Sequence, residues 1–268
     1  MLRWPGLDAA GAVDAVVTTR LGGVSQGSHA TLNLGLHVGD DPQAVIENRR
    51  RAAAAAGCTL DDLVFAEQVH GSGVTVVGGA DVGRGATTAA DAVTRSDALV
   101  TTDRGVGLVV LVADCVPLVL VDPVAGVLGC VHAGWRGTVA GVTTAALAVM
   151  ATLGAEPARV VVGIGPAVRS DDYEVGDDVA DALRSTLAGC GVAGAADVVL
   201  GATSGGRWRC DLVAANRIAL VGAGVDTANI HAMSSTTSDP GLFSHRRGDG
   251  GRFAAIARLG GDGGEGRP

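Results

Sequence analysis

The chain has 268 residues, 28 of them acidic and 20 basic, for a net charge of −8, and every basic residue is arginine. No basic cluster is longer than Arg49 to Arg51, which argues against binding nucleic acid through its phosphates, and the absence of lysine excludes lysine Schiff bases and a P-loop lysine. No apolar run reaches the ~18 residues of a membrane span, and five widely spaced cysteines without a signal-peptide pattern fit a reducing cytoplasm. With 47% hydrophobic but only 3% aromatic residues, the expected core is Val, Leu and Ala joined by glycine-rich turns.

From the N-terminus, Ala12 to Thr19 reads as a strand running into Arg20-Leu-Gly-Gly-Val-Ser25, a flexible turn with one guanidinium that suits an anion clamp. Asn33 follows in Leu32-Asn-Leu-Gly35. Asp41-Pro42 supply the N-cap and first residue of an Ala-rich helix that ends by Gly57, with Arg49 to Arg51 on its solvated face. Val64 to His70 reads as a short strand that puts Gln68 and His70 on one face. Taken alone, His70 is more often a satisfied surface histidine than a ligand. Gly78 to Ala92 has no clear period and reads as a loop or disordered excursion, and Asp97 to Thr102 as another strand.

The chain is organised around Val106 to Thr138, where Leu108 to Val112, Pro117 to Val121 and Val127 to Val131 are buried-strand runs. If Val121 pairs with Gly126 around a four-residue loop, Cys115 stands directly opposite His132 and a thiol meets an imidazole at one hairpin end. Thr138 reads as the N-cap of a helix over Val139 to Leu153, and Arg136 beside that N-terminus favours anions. A lone cysteine is usually a small buried hydrophobe. Cys115 together with His132, Asp114 and Arg136 reads as chemistry.

Further on, Arg159 to Ile164 reads as a strand ending in Gly163-Ile-Gly165-Pro166, whose proline breaks a dinucleotide fingerprint. Helices are expected over Asp177 to Leu187 and, capped by Asp211, over Leu212 to Leu220. Asn229 to Met233 reads as the last strand, followed by Phe243-Ser-His-Arg-Arg247, a second anion-binding candidate. The expectation is one α+β catalytic domain over residues 1–259, with mixed sheets covered by helices, and a disordered Gly-rich tail over 260–268.

The stretches TTRLGGVS, NLGLHVGDDP, ENRRR, EQVHG, SDALVT, ADCVPLVLVDP, GCVHAGWRG, GIGPA, YEVG and FSHRR, in this order, resemble the laccase-domain family. Its members are also described as polyphenol oxidase-like proteins, peptidoglycan editing factors and zinc-dependent purine nucleoside phosphorylases. The resemblance implies α/β/β/α layering and a metal site of His70, Cys115 and His132, two nitrogens and a thiolate with a fourth position open, as at a catalytic zinc. It implies phosphorolysis of purine nucleosides (adenosine, inosine, guanosine, methylthioadenosine) to free base and ribose 1-phosphate, with adenosine deamination as a further activity. Catalytic roles then fall to Cys115, His132, Asp114 and Arg136, and contacts to nucleoside and phosphate to Arg20, Asn33, Gln68 and Arg246. Asp114 and Gln68 are the residues expected to support the ligands. Two departures stand out: Arg246 to Arg252 is one residue shorter than the usual pattern, and Ser235 replaces a common Cys.

The rival readings are a Cys115/His132 hydrolase acting on peptidoglycan precursors, a copper-dependent polyphenol oxidase, and a non-catalytic metal-binding protein. Six scattered histidines count against multicopper chemistry. The expected partners are small molecules, with neither nucleic acid nor membrane, and the expected state is a monomer or weak oligomer.

Overall fold

Three apolar runs without polar interruption are what strands covered on both faces require, and in the computed structural model, which describes residues 1–260, they lie at the centre of two stacked sheets. The elements in chain order are α1 (Pro5–Ala10), β1 (Val13–Val17), α2 (Pro42–Ala55), β2 (Leu63–Phe65), β3 (Val74–Val76), β4 (Ala98–Thr101), β5 (Gly107–Val112), β6 (Val116–Asp122), β7 (Val127–Ala133), α3 (Trp135–Val139) and α4 (Val142–Thr152). They continue with β8 (Val161–Ile164), β9 (Glu174–Val175), α5 (Asp177–Ala188), α6 (Ala195–Val199), β10 (Leu200–Ala202), β11 (Trp208–Cys210), α7 (Leu212–Gly222), β12 (Ile230–Ala232) and β13 (Phe253–Leu259).

One sheet has the order β1-β13-β5-β2 and the other β12-β8-β6-β7-β4-β3, both mixing parallel and antiparallel pairs; β10, β11 and β9 form a small third sheet. Side chains alternate along each strand and sort into three apolar layers. Val17, Val110, Phe253 and Ala255 meet Leu99, Val119 and Cys130 between the large sheets. Leu118, Leu120 and Val131 face the other way, onto α4, α5 and α7. Val16, Val109 and Ile256 pack against Ile46 and Ala53 of α2. This is α+β with α/β/β/α layers, as expected.

Several local expectations are corrected. The β6–β7 loop does have four residues, but it starts one residue later, so Asp122 pairs with Val127 and Pro117 with His132. The register moves by two, which preserves the face: Cys115 lies beyond Val116↔Ala133, diagonal to His132 instead of opposite it. Thr138 does not cap a long helix. Gly141, left-handed at φ 78, divides α3 from α4, and Thr138 Oγ1 accepts from Asn216 Nδ2 at 3.0 Å.

The strand expected through His70 stops at Phe65, and His70 itself is left-handed (φ 59), outside any strand. Residues 78–92 are built from turns and two 3-10 segments, Gly79–Asp81 and Ala89–Asp91. Arg49 is buried under Phe65 and does not share the solvated face of Arg50 and Arg51. The last strand is β13, in the middle of the four-stranded sheet; its Ala-Ala-x-Ala run carries too little bulk to announce a strand. Residues 261–268 of the tail lie outside the described residues, whereas Gly260 donates to the carbonyl of Ala12.

Candidate metal centre and its cavity

His70, Cys115 and His132 come together at one end of the β6–β7 hairpin, with one donor atom from each lying within 4.8 Å of the others. Each arrives differently. His132 is in β7, Cys115 in the turn just before β6, and His70 on the loop after β2. The two imidazoles meet edge to face, ring centroids 4.8 Å apart. Gly134 stands opposite Cys115, and a Cβ there would come within 2.9 Å of Sγ and 3.0 Å of the His70 ring. The group closes up because that position has no side chain.

The residue that organises the group was not singled out from sequence. Asp97, buried just before β4, has its Oδ1 2.8 Å from His132 Nδ1 and accepts from the His70 amide at 2.9 Å. Its Oδ2 accepts from the amides of Gly71 at 2.7 Å and Val69 at 3.3 Å. One carboxylate thus holds the left-handed turn at His70 and occupies Nδ1 of His132, leaving Nε2 as the free donor. Burial works against ionisation of Asp97, but the His132 contact and the Gly71 and His70 amides outweigh it and hold the carboxyl below its usual range.

Burial likewise would raise the Cys115 thiol, yet hydrogen bonding and charge from His132, then His70, bring it down to about 6. Burial would lower His132, but Asp97 and Cys115 together raise it. The two shifts run in opposite directions and favour a thiolate beside an imidazolium in the metal-free pair. A polarised thiolate and two imidazoles, one oriented by a carboxylate, are the donor set zinc takes with one position left open, so these residues fit the metal the resemblance implies.

The group opens on a cavity of about 800 Å³. Phe65, Leu111, Val112 and Tyr173 supply apolar wall, while Arg49, Arg246 and Arg252, with His37 and His245 beside them, make it cationic against Glu67 and Asp114. Arg246 stacks its guanidinium 4.6 Å from the Tyr173 ring centre and donates to the Glu174 carbonyl. Asp114 lines the cavity but is engaged away from the ligands: Oδ1 accepts from Thr237 Oγ1 at 2.6 Å and Oδ2 from the Arg246 amide at 2.8 Å. Gln68 also faces the cavity, with both amide atoms spent on the main chain of Leu111 at 2.7 Å.

Three expected contributors are elsewhere. Arg20 donates to Ala30 O and to Asp249, stacked over Phe243. Asn33 is buried and holds Gly35, Asp40 and the Arg252 amide. Arg136 is exposed on α3, over Trp135. None of the three lines the cavity, so Arg20 and Asn33 do not reach it as the contacts to nucleoside and phosphate expected of them. His37 and Asp97 sit inside NLGLHVGDDP and SDALVT, which was the only signal for them in the sequence.

A family model described as multi-copper polyphenol oxidoreductase laccase matches residues 14–260. The chain is 41% identical over 254 residues to purine nucleoside phosphorylase YlmD of Geobacillus stearothermophilus, covering 94% of this chain and 90% of that one. It is 42% identical over 261 residues to a purine nucleoside phosphorylase of Deinococcus radiodurans, covering 97% and 92%. Among solved structures, YlmD from Geobacillus stearothermophilus superposes with a TM-score of 0.84 at 38% identity over 92% of this chain and 93% of that chain. The hypothetical protein YfiH of Bacillus licheniformis gives 0.87 at 35%, over 92% of each. With the family model spanning nearly the whole chain and these relatives matched end to end, the chain belongs to the polyphenol oxidoreductase laccase family, the laccase-domain proteins.

Proposed function

We propose that the protein is a zinc-dependent purine nucleoside phosphorylase acting on adenosine, inosine, guanosine and methylthioadenosine, with adenosine deamination as a further activity. The observation that carries this reading is the His70–Cys115–His132 group opening on a nucleoside-sized cavity with a cationic wall. The names of the relatives support its coarser part, a purine nucleoside phosphorylase. In phosphorolysis the C1′–N9 bond breaks, an oxygen of hydrogen phosphate bonds to C1′, and the purine leaves with the electron pair and takes up the proton from phosphate.

His70, Cys115 and His132 would hold zinc, which supplies Lewis acidity toward a substrate oxygen or water. Asp97 keeps His132 Nε2 turned to the site and fixes the His70 loop. Tyr173 and the apolar wall shield the reacting centre from water, while the arginines balance phosphate charge. Asp114 holds the Arg246 segment against the cavity. Among the described residues all five cysteines are free, and no helix is long and apolar enough to cross a membrane; we place the protein in the cytoplasm.

The test is zinc content together with phosphate-dependent release of adenine from adenosine, for wild type and Cys115→Ala. The reading expects stoichiometric zinc and release, both lost in a folded variant; metal-free protein without turnover overturns it. One observation favours a second reading, a cysteine hydrolase: Cys115, His132 and Asp97 form a relay with the thiol already lowered to about 6. Zinc decides between them, since a thiolate bound to metal is a poor acylation nucleophile. For copper oxidation of phenols, the described residues offer a single three-residue metal group, too few ligands for multicopper chemistry.

A further inference from the structure

Half-buried arginines in this fold generally meet a carboxylate: Arg159 binds Asp122, Arg20 binds Asp249 and Arg258 binds Asp14. Two on the cavity wall do not. Arg49 is 3% exposed, donates through Nε to Leu34 O at 2.8 Å and through Nη1 to the carbonyls of Gly85 and Ala86, and has no partner for Nη2 among the described residues. Arg252 donates through Nη1 to Gly250 O at 3.2 Å and Gly251 O at 2.9 Å, and its Nε and Nη2 are free of protein partners among the described residues. Carbonyls solvate a buried cation but leave it without an ion-pair partner, and at Arg252 the charges of Cys115 and Asp114 act only through space against its burial; an anion in contact would complete the site.

The acids lining the same cavity are committed elsewhere. Asp114 accepts from Thr237 and the Arg246 amide, and Glu67 from the Arg95 amide. The two arginines are tied to one chain segment. Leu34 O accepts from Arg49, Leu34 N donates to Arg252 O at 2.9 Å, and Asn33 Oδ1 accepts from Arg252 N at 2.8 Å. Gly35 lets that segment lie against the Arg252 stem, since a Cβ there would fall 3.0 Å from Arg252 Cγ. The segment leads to His37, which also lines the cavity. Burial, then Arg252, Arg49, His70 and His132, lower the His37 pKa, which favours the neutral imidazole, a ring that can donate a hydrogen bond without adding charge.

We propose that Arg49, Arg252 and His37 form an oxyanion subsite that takes inorganic phosphate, beside the His70–Cys115–His132 group in the same cavity. The proposal rests on the phosphorylase reading for the identity of the anion, and on the two arginines that contact only carbonyls for its place. Planar guanidiniums with unspent N–H groups are suited to tetrahedral oxyanions. The subsite replaces Arg20 and Arg136, which stand outside the cavity, as the phosphate contacts.

The test uses the purified zinc-loaded protein and its Arg252→Gln, Arg252→Lys and His37→Asn variants; Arg49 is spared because its carbonyl contacts hold the fold. Calorimetric titration with inorganic phosphate should show binding weakened about tenfold or more in Arg252→Gln, the loss expected for one charge-assisted contact, and partly restored in Arg252→Lys. His37→Asn should weaken it less, and the KM for nucleoside should stay within about twofold while the KM for phosphate follows the titration. Unchanged phosphate affinity in folded Arg252→Gln, or no phosphate binding by wild type, overturns the subsite. Phosphate binding that depends on Arg252 without any nucleoside cleavage would keep the subsite and sink the phosphorylase reading. Adenosine 5′-monophosphate is titrated in parallel; Arg252-dependent binding of it, with none of free phosphate, would overturn the assignment to inorganic phosphate.

Discussion

Two neighbouring groups on the cavity wall solve opposite electrostatic problems. In one, a thiolate and two histidine rings are gathered by the Asp97 carboxylate, so the negative charge that organises the group lies within the protein. In the other, Arg49 and Arg252 are held by neutral carbonyls without a carboxylate in contact. The first arrangement is complete without substrate apart from its metal. The second is complete only with an anion. This difference separates a site prepared for a soft cation from a wall prepared for an oxyanion, and substitutions on the two sides should therefore fail in different ways.

The largest effect is expected from Arg49→Met, which strands the carbonyls of Leu34, Gly85 and Ala86: a loss of roughly 3 kcal/mol in denaturant unfolding, at about 1 kcal/mol or more for each bond to a charged donor. If stability is unchanged, the carbonyls are not what holds that wall. Asp97→Asn attacks the other group. Its amide would donate to His132 Nδ1, forcing the proton to Nε2 and removing that lone pair from the site. Zinc affinity measured by chelator competition should fall by about 10–100-fold while phosphate binding is spared; wild-type affinity would refute the orienting role.

Gly134→Ala sharpens the comparison further, since its backbone at φ −75 accepts alanine while the new Cβ presses on Cys115 Sγ and the His70 ring. Zinc affinity should drop by about tenfold with ~1 kcal/mol lost in stability. A variant with intact affinity would show that the ligands give way freely.

The smallest effect concerns pH in the metal-free protein. Cys115, lowered to about 6 from 9.0, contributes stability that grows above pH 6 and is complete above 9. His132, raised from 6.5 to about 9, contributes stability that is complete below 6.5 and lost as pH rises through 9. The gradients oppose, because moving a proton from thiol to imidazole changes no net charge. Unfolding free energy should therefore be nearly level through this window as far as this pair is concerned. A slope near 1.4 kcal/mol per pH unit, present in wild type and absent in Cys115→Ala, would show the two groups titrating separately.

Sequence by itself determined the central apolar strands β5, β6 and β7, the capped helix starting at Pro42, and the motifs bearing His70, Cys115 and His132, because periodicity, capping and short motifs are local properties. It also gave the face shared by Cys115 and His132 even with the register two residues off, since a shift of two preserves the pleat. Tertiary structure alone decided which polar groups converge. Asp97 reaches His132 across 35 positions of sequence, and Arg49 and Arg252 meet the same segment from opposite ends of the chain. It also decided that Arg20 and Arg136, as suitable by type as any other arginine, belong elsewhere. A charged side chain's role depends on the partners that remain for it after folding, and those partners are set by long-range packing.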